Sequence, residues 1–68
     1  MTKNQIRIAR AIANAADDGG TIQALDVLEL QRRGFIPNDP RYTTTMSMDR
    51  AWEIAGLDPE QCREALFG

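Results

Sequence analysis

Apolar residues in the first sixteen positions recur at the spacing of an amphipathic helix. Thr2 and Gln5 precede most of this pattern and stand three residues apart, as in a capping box at a helix start. Two acids and two glycines at positions 17–20 end the pattern, because paired glycines favour a turn. The sequence therefore predicts a first helix between Thr2 and Asp17. Its apolar face would carry Ile6, Ile8, Ala9, Ile12, Ala13 and Ala16.

A second helix is predicted over residues 22 to about 33, with Thr21 as its N-cap. Ile22, Leu25 and Leu28 step by three along this segment and would form its buried stripe, with Ala24 and Val27 widening that face. The alternative is a strand over residues 25–30. The alternation there is imperfect and no hairpin partner follows, so the pattern favours the helix.

Two glycines stand where helices are expected to end. Gly34 and Gly56 each follow an apolar run, at the C′ position where a positive φ favours glycine. At each of these helix ends, two apolar residues would touch in the contact of a Schellman motif. This contact explains why residue 30 is apolar although it lies off the stripe of the second helix. The two pairs are Leu30 with Phe35 and Trp52 with Leu57.

The segment over residues 36–44 is predicted to be an extended connection across the helices. Pro37 and Pro40 exclude a helix interior there. Its apolar anchors would be Phe35, Ile36 and Tyr42.

Two short helices complete the prediction. Ser47 is the expected N-cap of a helix over residues 48–55. Asp58 is the expected N-cap of a helix over residues 59 to about 67, and Gln61 has the spacing that closes a capping box with it. The inward residues of this last helix would be Cys62, Ala65, Leu66 and Phe67. The predicted fold class is all-α: a compact bundle of four helices, two longer and two short, in a single domain over residues 1–68.

Composition excludes most catalytic chemistry. The chain has 68 residues, no histidine and one cysteine, so Cys62 has no imidazole to activate it and is interpreted as a small core residue. Neither an enzyme activity, a metal site nor a cofactor is expected. No apolar run approaches the roughly 18 residues of a membrane span. The lone cysteine and the lack of a secretory signal favour the cytoplasm.

Charge is distributed unevenly along the chain. The net charge is −2; residues 1–46 carry six bases and five acids, whereas residues 47–68 carry two bases and five acids. Proteins that bind DNA usually carry a basic excess, since neutralising phosphates supplies much of their affinity. Direct DNA binding is therefore less expected than binding to another protein.

The polar side of the first helix holds the main candidate site, which we call the basic stripe: Lys3, Arg7, Arg10 and Asn14. These residues recur at steps of four, three and four. Lys3 and Arg7 lie near the positive end of the helix dipole, which is unfavourable by roughly 0.3–1 kcal/mol per charge. Local rules broken without a visible gain often mark functional positions. The stripe is therefore predicted to bind an acidic partner or a phosphate backbone.

The alternative for the stripe is a solvated face, with Asp17 and Asp18 paired to Arg32 or Arg33. Because arginine and tyrosine are common among residues that dominate interfaces, a second group of candidate contacts is also predicted. Its members are Arg32, Arg33, Arg41 and Tyr42.

Residues 48–67 indicate a different functional class. The order helix, glycine turn, helix resembles a helix-turn-helix DNA-binding motif at its apolar and glycine positions: Ala51, Ala55, Gly56, Leu57, Cys62 and Ala65. Trp52 departs from that motif, because a small residue normally stands where the two helices cross. Glu60 and Glu64 also outnumber Arg63 on the helix that would enter a groove lined by phosphates.

These observations favour a small acidic protein-binding module that catalyses no reaction. Its size and charge resemble those of phage- and mobile-element-encoded antagonists of bacterial complexes, anti-CRISPR proteins among them, which implies an inhibitor that covers a partner surface. The alternative function is a small helix-turn-helix DNA-binding protein or transcriptional regulator. A second copy of the chain is a further candidate partner, because so small a core gains stability from dimerisation.

Overall fold

Four helices and one short pair of strands make up the fold. The computed structural model describes residues 1–68. In chain order the elements are α1 (Lys3–Ala15), β1 (Thr21–Ile22), α2 (Ala24–Arg32), a 3₁₀ turn (Pro40–Tyr42), β2 (Met46–Ser47), α3 (Met48–Ile54) and α4 (Pro59–Phe67). The predicted four-helix all-α architecture is confirmed, with a small strand pair added to it. No helix combines the length and the apolar composition needed to cross a membrane.

The predicted N-cap at Thr21 is wrong, because Thr21 and Ile22 form β1. They pair antiparallel with β2, Thr21 opposite Ser47 and Ile22 opposite Met46. The Asp17 carboxylate accepts the backbone N–H groups of Gly19 (2.9 Å) and Thr21 (3.0 Å), and this turn holds the chain extended. The hydrogen bond from the Thr21 backbone keeps the pKa of Asp17 below its usual value. Helix α2 therefore begins after Gln23.

The buried side of α2 also differs from the predicted stripe. Leu25 is 81% exposed, whereas Val27 and Leu30 belong to the core. Ile22 reaches the core from β1, so it does not set the phase of the helix. At 100° per residue Leu25 lies about 160° from Val27, on the opposite side. Leu30, expected off the stripe, lies on the true inward face.

Both predicted glycine stops are confirmed. Gly34 and Gly56 have φ values of 80° and 82°. The Phe35 N–H donates to the Leu30 carbonyl at 2.9 Å, and the Leu57 N–H donates to the Trp52 carbonyl at 2.9 Å, as a Schellman motif requires. The capping box of Thr2 and Gln5 is also formed. These local motifs fix where α2 and α3 end and where α1 begins.

The core joins α1 to α3 through one aromatic side chain. Trp52 is completely buried, and its indole N–H donates to the backbone carbonyl of Ala9 at 3.1 Å. Ala9 is itself fully buried and carries only a methyl group, which allows the indole to approach the backbone of α1. A buried tryptophan thus keeps a partner for its polar atom.

The connection over residues 36–44 is held by a buried polar side chain. The Gln31 amide donates to the carbonyls of Pro37 (3.1 Å) and Asp39 (3.0 Å), and its oxygen accepts the Thr43 hydroxyl at 2.9 Å. Ile36 is buried and Tyr42 is half-buried, as expected of anchors. The segment is not extended throughout, because residues 40–42 form the 3₁₀ turn.

Helix α4 buries less than predicted. Cys62 is fully buried and Leu66 partly so, but Ala65 is exposed and Phe67 is 64% exposed. Phe67 lies about 140° around the helix from Cys62, beyond the stripe that meets α1 and α3. The Asp58 cap accepts the Glu60 N–H, so the predicted capping box with Gln61 is not formed.

Candidate functional site

The basic stripe lies along one wall of an open cleft of about 510 Å³. Arg33, the C-cap of α2, reaches the same cleft from the other side. Five of the predicted contact residues are therefore brought together. The lining residues are Lys3, Ile6, Arg7, Arg10, Ala11, Asn14, Arg33 and Phe35. We call this the basic cleft.

Phe35 joins the two walls of the basic cleft. The residue is only 7% exposed, and the guanidinium carbons of Arg7 and Arg33 lie 5.1 Å and 4.8 Å from the centroid of its ring. Such contacts contribute about 0.5–1 kcal/mol each at exposed sites. Phe35 occupies this place because Gly34 turns the chain back after α2. The ring therefore holds two arginine side chains of different helices near each other.

The basic cleft has positive charges without acidic partners. Lys3, Arg7, Arg10 and Arg33 have no carboxylate within 4.0 Å, since the two ion pairs of the molecule are Arg41–Asp39 and Arg63–Asp49. The Arg7 guanidinium donates instead to the neutral amide oxygen of Asn4, at 3.0 Å.

The expected pairing of Asp17 or Asp18 with Arg32 or Arg33 is not formed. Asp17 turns its carboxylate to backbone N–H groups of its own loop, so it is not available to an arginine. The basic cleft can accordingly attract an anionic group from outside the molecule.

The floor of the basic cleft is apolar. Ile6 and Ala11 line it at the two edges of the basic stripe, and both are partly exposed. The sequence pattern placed Ile6 on the packing face of α1 and gave Ala11 no role. Their position at the edge of the stripe follows from the same helical periodicity, but the opening beside them depends on where Arg33 and Phe35 lie. A ligand that combines a carboxylate with an apolar group fits this lining.

The other predicted contact residues lie outside the basic cleft. Arg41 donates two hydrogen bonds to Asp39, the shorter one from Nη2 to Oδ2 at 2.7 Å. This ion pair lowers the pKa of Asp39 and raises the pKa of Arg41. Arg41 and Arg50 lie 5.8 Å and 5.9 Å from the Tyr42 ring centroid. Arg32 is exposed and makes no ion pair. Only Arg33 of this second group joins the stripe.

The α3–α4 pair offers few free cations to DNA. Arg63, the one base of α4, donates to the Asp49 carboxylate of α3 at 2.6 Å. Glu60 and Glu64 remain exposed on the same helix. Trp52 is completely buried and its indole contacts α1. A large side chain therefore fills the place where a helix-turn-helix motif normally has a small residue.

Cys62 is expected to react slowly with a thiol reagent in the native state. Its side chain is fully buried, and burial raises the pKa of the thiol, so little thiolate is present at neutral pH. The measurement is the labelling rate in buffer compared with the rate in denaturant. Rapid stoichiometric labelling without unfolding would contradict an inert core cysteine.

Comparisons of the chain with protein-family models, with curated proteins and with solved structures gave no match. The site must therefore be interpreted from its own geometry. That geometry is a surface groove with four unpaired cations, an apolar floor and a buried aromatic ring that positions two of the arginines.

Proposed function

We propose that this chain is a protein-binding module that docks an acidic surface of a partner in the basic cleft and catalyses no reaction. The observation that carries the proposal is the convergence of Lys3, Arg7, Arg10 and Arg33 on one groove, with no carboxylate within 4.0 Å of any of them. Opposite charges across an interface raise association rates and help to select partners. The apolar floor adds a contact that excludes water from the centre of the interface.

A protein is a better partner for this groove than DNA for two reasons. The net charge of −2 supplies no general attraction to phosphates, and α4 presents Glu60 and Glu64 instead of free bases. Ile6 and Ala11 in the floor suit an apolar side chain, which a phosphate backbone does not provide. DNA binding by the α3–α4 pair, as in a helix-turn-helix protein, would also make no use of the basic cleft.

The proposal extends to inhibition of a bacterial complex. The size and mild acidity of the chain resemble those of phage-encoded antagonists, anti-CRISPR proteins included. A molecule of 7.6 kDa can act on a much larger complex by covering one working surface. The groove supplies the attachment, and the rest of the fold supplies the bulk that blocks access.

Charge reversal in the basic cleft tests the proposal. The double variant Arg7→Glu/Arg10→Glu is expected to keep its fold, with a melting temperature within a few degrees of the wild type, because neither residue forms an ion pair. Affinity for a partner isolated from nuclease-treated bacterial lysate is expected to fall at least about tenfold, mostly through a slower association rate. Melting temperature and affinity are measured on the same preparations.

A matched control is Arg32→Glu/Arg50→Glu, which changes the net charge equally outside the basic cleft. It is expected to retain the partner. Lower stability with unchanged affinity in the cleft variant would end the proposal. Tight binding to random duplex DNA that weakens steeply as salt rises would support the helix-turn-helix alternative instead.

A further inference from the structure

A second, smaller hollow continues the basic cleft along α1 and α2. It measures about 190 Å³ and shares Ala11, Asn14 and Arg33 with the larger cleft. From Lys3 to Ala15 the helix rises about 18 Å, so the two hollows form one groove roughly three helical turns long. A segment of regular structure can therefore lie along it.

The charge of this groove changes sign along its length. The end near Lys3 carries the unpaired cations of the basic cleft. The other end is lined by Asp26 and Glu29 of α2, neither of which is in an ion pair. Arg33 lies where the two hollows meet. The groove is therefore polarised, basic at one end and acidic at the other.

The spacing of the basic end matches one face of a helix. Lys3, Arg7 and Arg10 are separated along α1 by rises of about 6 Å and 4.5 Å. Carboxylates at positions i, i+4 and i+7 of a second helix, laid along the groove, have the same separations.

We infer that the groove recognises a helical segment of a partner protein whose facing side chains are acidic over two turns and basic over the next turn. The inference rests on the proposed function and adds to it the charge order of the ligand. The acidic residues would face Lys3, Arg7 and Arg10, and the basic residue would face Asp26 and Glu29. Complementary charges at both ends fix the register of the segment in the groove.

Two other occupants match this charge order less well. A nucleic-acid strand is negative throughout and would meet Asp26 and Glu29 with repulsion. A second copy could offer α4, which carries Glu60 and Glu64 at the right spacing. That helix then presents Phe67 and no base in the following turn. Neither a nucleic-acid strand nor α4 of a second copy complements the acidic end.

The test uses three synthetic helical peptides of about 16 residues, long enough to span the groove. The first has glutamates over two turns of one face and lysines over the next turn. The second has the same composition with glutamates and lysines interleaved on that face, and the third replaces the lysines by glutamates. We expect the first peptide to bind the full chain at least about fivefold more tightly than either of the others at low salt.

Variants of the protein complete the test. Asp26→Lys/Glu29→Lys is expected to lose the preference for the first peptide and to bind the all-acidic peptide more tightly than the wild type does. Asp18→Lys/Glu53→Lys makes the same charge change at exposed positions outside the groove and should keep the wild-type order. If the first variant has a lowered melting temperature, Asp26→Asn/Glu29→Gln is used instead, because it keeps the side-chain size. It should still weaken the preference for the first peptide.

The outcomes separate the inference from the proposed function. Equal affinity of the segregated and interleaved peptides would overturn the charge order while leaving an acid-binding cleft. No acidic peptide binding, or binding unaffected by Arg7→Glu/Arg10→Glu, would overturn both. Competition by random duplex DNA for the groove, or self-association abolished by the same double variant, would also overturn the inferred ligand.

Discussion

Replacing Trp52 by alanine is expected to lower the free energy of unfolding by about 3–5 kcal/mol. The indole is the largest fully buried side chain, and its removal opens a cavity between α1 and α3. The bond from the indole N–H to the Ala9 carbonyl is lost as well. Since small domains have a stability of only about 5 kcal/mol or less, the variant should be largely unfolded at room temperature. Far-ultraviolet circular dichroism during urea and thermal unfolding measures this.

Trp52→Phe serves as the control for the cavity. It retains an aromatic ring and removes the N–H donor, so it is expected to unfold at an intermediate temperature. A melting temperature of Trp52→Ala equal to that of the wild type would contradict the burial of this side chain. It would instead place Trp52 on the surface as a candidate contact residue.

Replacing Gln31 by alanine is expected to destabilise the fold by about 2–3 kcal/mol, the second-largest effect. The Gln31 side chain makes three hydrogen bonds to the connection over residues 36–44, and it is only 3% exposed. Without it, the carbonyls of Pro37 and Asp39 and the Thr43 hydroxyl lose their partner. We expect faster hydrogen exchange in residues 36–44 in addition to a lower melting temperature.

Gln61→Ala is the matched control, because Gln61 is an exposed glutamine of α4 whose side chain makes no hydrogen bond. Its melting temperature should stay within about one degree of the wild type. If Gln31→Ala leaves both the melting temperature and the exchange of residues 36–44 unchanged, the connection is held by its apolar anchors alone.

The features that sequence reasoning predicted correctly are those that depend on neighbouring residues. Gly34 and Gly56 end helices because a positive φ is favourable for glycine, and this is visible within six residues of sequence. Thr2 and Gln5 form their capping box within three residues. No distant contact competes with these motifs, so the local preference decides.

The errors arise where a distant segment decides the local structure. Thr21 has the preferences of an N-cap, but its backbone pairs with Ser47, 26 positions further along the chain. That pairing moves the start of α2 and places Ile22 in β1, so Ile22 no longer indicates which side of α2 faces inward. The inward side carries Val27 and Leu30, and Leu25 is exposed. Short strands of two residues leave no alternating pattern from which they could be predicted.

The candidate site was predictable only in part for the same reason. Helical periodicity groups Lys3, Arg7 and Arg10 on one face without knowledge of the fold. The arrival of Arg33 beside them depends on how α2 packs on α1, which no local pattern encodes. Arg41 was predicted only as a contact residue, and its ion pair with Asp39, two residues earlier, was not predicted.

The hydrogen bond between Trp52 and Ala9 has a consequence for synthesis of the chain. It joins residues 43 positions apart, and the strand pair joins residues 24 and 26 positions apart. A growing chain that ends before Trp52 therefore has neither the centre of the core nor a partner for the inner face of α1. We expect no stable tertiary structure to form before Trp52 has been synthesised, so that nascent chains expose Ile12 and Ile22 to chaperones until that point.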